Sequence, residues 1–110
     1  MQHDPAPAPA PTVERTIIEA IALKRLILAQ YNGSEMLLAP HQLFTRHGGL
    51  FVSALNTRKT WRSDELPRLG FFKVDGLNDV SITENTFEPL ADFDESLPGE
   101  ADQQLFAVAA

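Results

Sequence analysis

The chain has no cysteine, a single tryptophan and a single tyrosine, and neither lysine nor arginine after Lys73. Without cysteine there is no disulfide framework, no thiolate metal site and no thiol nucleophile. No apolar run approaches the roughly 20 residues of a membrane-crossing helix. The opening MQHDPAPAPAPT lacks the basic stretch and apolar core of an export signal. A cytoplasmic protein without membrane contact is the expectation. Glycine-rich phosphate loops are missing too, and neither Ser34 nor Ser53 has the flanking glycines of a nucleophile elbow. His41 and His47 have no third ligand near them in sequence, which disfavours a metal, and no cofactor is implied. The close-set carboxylates Asp92, Asp94 and Glu95 read as a solvated run rather than an acid–base pair. No enzyme is expected.

At 110 residues, with 44% apolar and 22% charged side chains, the chain has the size of one domain and enough apolar surface for one core. Its net charge of −6 is divided unevenly. Between positions 46 and 73, Arg46, Arg58, Lys59, Arg62, Arg68 and Lys73 stand against Asp64 and Glu65, a balance of +4. After Lys73 come nine acidic residues and no basic one. A solvated surface explains such runs. The sharper reading is a basic groove for an anion, with the acidic end of the chain competing for it.

Local signals divide the chain into three segments. Residues 1–11 alternate proline and alanine, which favours an extended, disordered leader with little to bury. The domain proper is read over 12–90. Thr12 is a candidate N-cap, and Val13, Ile17, Ala20 and Ile21 recur at helical spacing, which predicts a helix over 12–24 that buries Ile17 and Ile21 against a sheet. LILAQY (26–31) has strand composition, and Asn32-Gly33 is a strong hairpin signal. The stretch 36–55, MLLAPHQLFTRHGGLFVSAL, organises the rest: a strand returns over 35–39, bends at Pro40 and continues over 41–45, and a turn at His47-Gly48-Gly49 leads into 50–56. Residues 57–68 form a surface loop whose Trp61 is expected to cover a strand edge. A strand over 70–77 follows, extended or paired by 79–83. Residues 91–110 read as an acidic tail in which 104–108 supply either a closing strand or a short packed end. Antiparallel pairing is expected throughout.

A helix ending in Ala20-Ile21, a strand closing on Tyr31, Pro40 ahead of the apolar triplet Leu50-Phe51-Val52, then LGFFKVDGLNDV and a later Phe87 together resemble the WYL domain of bacterial regulators over about 13–89. The naming triplet is replaced by other apolar residues. Phe72 and Asp75 are kept, while Gly70 and Gly76 stand where the family has arginines. The chain is also similar to short stand-alone proteins with an APH…TRH signature. The resemblance implies a mainly β (α+β) fold, a small Sm-like antiparallel β-barrel with an N-terminal helix over one open end. It also implies a ligand-sensing or single-strand nucleic-acid-binding module of transcription regulation or phage defence.

On that fold the basic side becomes the candidate site. Arg46, Arg68 and Lys73, with His41 as a titratable donor, are the expected ligand-binding residues for an anion such as a nucleotide or a short single strand of nucleic acid. Arg46 is taken as exposed and so as contributing little to folding. His41 has a second reading, as a turn residue whose ring satisfies a local carbonyl left by Pro40. The competing function is a protein-interaction or homo-oligomerisation module without a small ligand, built on apolar strand edges and the LFAV segment. A steep fall of binding with rising salt separates the first function from the second.

Overall fold

The computed structural model describes residues 12–91, 93 and 102–109. The leader expected over 1–11 lies outside them, as do Asp92, Asp94, Glu95 and Glu100. Helix α1 (Val13–Leu23) starts where its cap predicts: Thr12 is extended and its side chain accepts from the Arg15 N–H at 3.1 Å, satisfying one of the free donors of the first turn. It ends on Lys24, which takes a left-handed conformation (φ 55°) and returns its own N–H to the carbonyls of Ala20 and Ile21. Ile17, Ala20 and Ile21 form one stripe and are fully buried.

That stripe packs on a sheet with six strands among the described residues, all paired antiparallel: β1 (Arg25–Tyr31), β2 (Ser34–Arg46), β3 (Gly49–Asn56), β4 (Gly70–Lys73), β5 (Leu77–Thr86) and β6 (Gln103–Ala107). The path runs β4-β3-β2-β1-β5, with β6 paired to β2. Two tight turns set the register. Asn32-Gly33 (φ 50° and 78°) and His47-Gly48 (φ 49° and 76°) both occupy the left-handed region that a two-residue hairpin turn needs. The turn expected over three residues is therefore two, and Gly49 already pairs with Arg46 as the first residue of β3.

β2 is the spine. Its first half pairs with β1, its second half with β6, and β3 runs along the other side. The register slips between Pro40 and Gln42, because Pro40 faces Ala54 while Gln42 faces Ser53, so His41 is the extra residue of a β-bulge. A bulge reverses which side chains face which side. Met36 and Leu38 before it, and Leu43 after it, share the inner face with Val52, Ala54 and Phe72. Gln42, Phe44 and Arg46 share the outer face with Phe51, Ser53, Phe71 and Lys73. Residues Leu38 to Phe44 are all buried, so the middle of β2 is covered on both faces.

One expectation changes and one alternative is settled. The strand read over 70–77 is two strands separated by a 3-10 turn, Val74–Gly76, with Val74 buried. The turn brings the backbone of Gly76 against Tyr31: a Cβ there would lie 2.9 Å from Cε1 of the ring, so the residue at this place has to be glycine. Of the two readings of the 104–108 stretch, the strand is the one observed, shifted by one residue: β6 pairs with β2, and Val108 after it is 1% exposed within the core. The sheet is not closed: β4 and β5 lie at the two ends of the path, and no ladder joins them among the described residues.

Candidate functional site

The four residues expected to bind a ligand are placed in three different surroundings. Arg46 lies on the outer face and is not free. Its Nε and Nη2 donate to both carboxylate oxygens of Asp102 at 3.1 and 2.9 Å, a two-pronged pair. The Asp102 side chain is 3% exposed and that of Arg46 31%. The Arg46 guanidinium also lies 5.5, 5.8 and 5.6 Å from the ring centres of Phe44, Phe51 and Phe71. The hydrogen bond to Asp102, more than it is offset by desolvation, raises the pKa of a group already cationic at any physiological pH. The exposed, stability-neutral arginine expected from the sequence is thus a tie between β2 and the residue that opens β6.

His41, one of whose two readings was a titratable donor to a ligand, is fully buried. Its Nδ1 lies 2.8 Å from the carbonyl oxygen of Ala39, and its Nε2 accepts the Leu90 N–H at 3.0 Å. The second reading of this residue, a ring that satisfies a local carbonyl, is the one the geometry matches. Burial pushes its pKa below the ordinary 6.5, and the hydrogen bond to Ala39 opposes that in part. Lys73 is exposed on β4, directly opposite Phe51, and so shares the outer face with Arg46.

Arg68 sits elsewhere, in a cleft of about 380 Å³ at the end of the inner face. Met36, Asn56, Gly70 and Phe72 line it from the sheet, and the loop 57–69 folds over them to add Lys59, Trp61, Arg68 and Leu69. That loop is held at both ends. Thr57 donates its N–H and its hydroxyl to the Leu37 carbonyl at 3.0 and 2.8 Å, and Gly70 pairs with Ala54. Within it, Arg62 donates its N–H to the Glu65 carboxylate and Glu65 returns its N–H to the Arg62 carbonyl, both at 3.0 Å. The loop is thereby fixed around Trp61.

Lys59 Nζ stands 4.3 Å from the centre of the Trp61 ring system and Arg68 Cζ 5.8 Å from it. No carboxylate lines the cleft. Asn56 accepts the Arg58 N–H through its Oδ1 at 3.1 Å, which leaves its amide NH₂ as a donor at the rim. The cleft therefore combines an aromatic wall, an apolar floor and donors of positive charge. Arg46, Arg68 and Lys73 do not converge, since Lys73 and Phe72 point to opposite sides of β4. Sequence reading singled out Arg68 but missed Lys59 and took Trp61 as cover. The signal available was the spacing Lys59-Thr60-Trp61, two cleft residues flanking one in a loop with no periodicity. Among the described residues no three histidine or carboxylate side chains gather as a metal site, and no helix is long and apolar enough to cross a membrane.

No family model, no curated protein and no solved structure matches the chain.

Proposed function

We propose that the chain is an anion-binding regulatory module whose ligand, a nucleotide or a short single strand of nucleic acid, enters the cleft formed by Lys59, Trp61 and Arg68. One observation carries this reading. Of the six basic residues between positions 46 and 73, Arg46, Arg58 and Arg62 are engaged by Asp102, Glu35 and the Asp64–Glu65 pair. Two of the remaining three flank the only tryptophan of the chain over a cleft that no carboxylate lines. Unneutralised cations beside an aromatic face suit a ligand that joins a flat ring to a phosphate. The scaffold in this proposal is a WYL-like, Sm-like barrel. What supports it is the strand order β4-β3-β2-β1-β5, whose two end strands are consecutive in the chain and linked by the short turn Val74–Gly76.

Because Trp61 is the only tryptophan, its emission reports the cleft directly. Titration with a single-stranded oligonucleotide and a panel of mononucleotides should quench it saturably at low salt, and the quenching should weaken as salt rises. Loss of one charged hydrogen bond costs about 1.5–3 kcal/mol, so Arg68→Ala should weaken binding roughly ten- to a hundredfold. Absence of binding to every probe at low salt overturns the reading and leaves the interaction-module function in front.

A further inference from the structure

Among the described residues, His41 touches the chain beyond β5 on both sides of the 94–101 stretch. His41 is the bulge residue of β2, with no solvent exposure. Its ring accepts the Leu90 N–H at 3.0 Å and lies between Phe87 and Phe93, with ring centres 5.2 and 5.3 Å away. Its own carbonyl accepts the Val108 N–H at 2.7 Å. Residues before and after the 94–101 stretch thus meet on the same side chain and backbone unit. The segment has other ties to the body: Phe87 N–H to the Lys24 carbonyl, the β6 ladder, Gln42 Nε2 to Gln104 Oε1 at 2.6 Å, Thr45 to the Gln103 carbonyl, and the two-pronged pair of Arg46 with Asp102.

The tautomer is dictated by these partners. A backbone N–H can only donate, so Nε2 facing Leu90 must carry a lone pair, and the ring proton sits on Nδ1 toward the Ala39 carbonyl. A second proton would set two N–H groups against each other inside a site that solvent does not reach. We propose that His41 is a proton-operated fastener: protonation of its ring detaches Phe87, Leu90 and Phe93, and with them β6, from β2 while the rest of the sheet stays folded. Detachment uncovers the β2 edge at Gln42–Thr45 and withdraws Asp102 from Arg46.

No other charge stands against the ring among the described residues. On the segment it holds, Glu88 is exposed; just ahead of β6, Asp102 is engaged by Arg46; on α1, Glu14, Arg15 and Glu19 are exposed; β3 carries no charged residue; and on β2 itself Glu35 and Arg46 are paired with Arg58 and Asp102. The faces of Phe87 and Phe93 favour a cation, but they neither remove the donor conflict at Leu90 nor replace lost water. The closed form accordingly holds a proton less readily than free imidazole.

The sign follows from linkage. The detached ring titrates near the ordinary 6.5 and the fastened one lower, so closure is fully favoured above 6.5 and is lost as pH falls below it. Between those two values the opening constant grows by about tenfold per pH unit, the limit for one coupled proton. The test is amide hydrogen exchange, corrected for intrinsic rates, from pH 8 to pH 5. Leu90 and Val108 should lose protection at that slope below 6.5, while amides of the β1–β2 hairpin keep theirs. In His41→Gln, whose side-chain carbonyl can still accept from Leu90, the slope should vanish; in His47→Gln, at an exposed turn, it should persist. Equal protection across the range in the wild type, a parallel loss in the hairpin, or an unchanged slope in a folded His41→Gln each overturns the proposal. Should His41→Gln not fold, the wild-type midpoints decide: the Leu90 and Val108 amide shifts must follow the His41 ring, and a separate midpoint overturns the proposal.

Discussion

The 3-10 turn between β4 and β5 rests on a single missing side-chain atom, which makes Gly76→Ala a sharp test of the packing. The added Cβ would stand 2.9 Å from Cε1 and 3.4 Å from Cδ1 of Tyr31. Carbon atoms in good contact lie about 3.5–4.0 Å apart, so the nearer contact is short by about 0.6 Å or more. Tyr31 has little room to yield: its ring meets the edge of Phe72 at 5.2 Å and 84°, and its backbone is paired to Ser34 on one side and Leu77 on the other. Forcing a methyl group into a filled site costs about 1–3 kcal/mol. Restricting the unfolded chain by replacing glycine returns about 0.4–1 kcal/mol, so a net loss remains. At Gly70 the nearest atom, Cε1 of Phe72, would be 3.3 Å away, and the two effects should nearly cancel there. Urea unfolding followed by circular dichroism gives both values. The cycle is completed in a Tyr31→Ala background, where Gly76→Ala should cost little. An equal cost of Gly76→Ala with and without the Tyr31 ring would refute the steric account of this turn.

Two further substitutions probe the outer face. Phe44→Ala should lower stability by about 3–5 kcal/mol, because the ring is fully buried against Phe51 and Phe71, and denaturant unfolding reads it. Arg46→Ala should lower the melting temperature while leaving oligonucleotide binding unchanged, the reverse of Arg68→Ala; paired thermal scans and Trp61 titrations separate the two.

The parts of the fold legible in the sequence are those whose cause is local. Thr12 caps α1 three residues ahead of the Arg15 N–H that its side chain accepts, and Asn32-Gly33 and His47-Gly48 carry their turn chemistry in two adjacent residues. What escaped is set by partners far along the chain. Residues 70–77 read as one strand because nothing within them announces the ring of Tyr31, against which Gly76 packs at the turn. His41 reads as a polar residue offered at a hairpin because its partner, Leu90, is 49 residues away, and the bulge after Pro40 that turns it inward is visible only in the register. Arg46 reads as free because Asp102 is 56 residues on. Of the candidate site, Arg68 was legible as charge; the cleft around it was not, since it forms only when a loop without periodicity folds over Met36 and Phe72.

The charge of the basic segment also needs recounting by partner. Surface ion pairs contribute about 0–1 kcal/mol and open readily, so Arg58 with Glu35 and Arg62 with Asp64 and Glu65, all largely exposed apart from Glu65, remain recruitable by a stronger anion. Arg46 does not, because withdrawing it would strand the carboxylate of Asp102 in a site that solvent barely reaches. Among the described residues, the acidic end of the chain meets the basic segment at Arg46, through Asp102 just ahead of β6. The cations thus fall into three grades of availability: Lys59 and Arg68 are gathered on Trp61, Arg58 and Arg62 stand on the same loop in exposed pairs, and Arg46, on the other face, is held by Asp102.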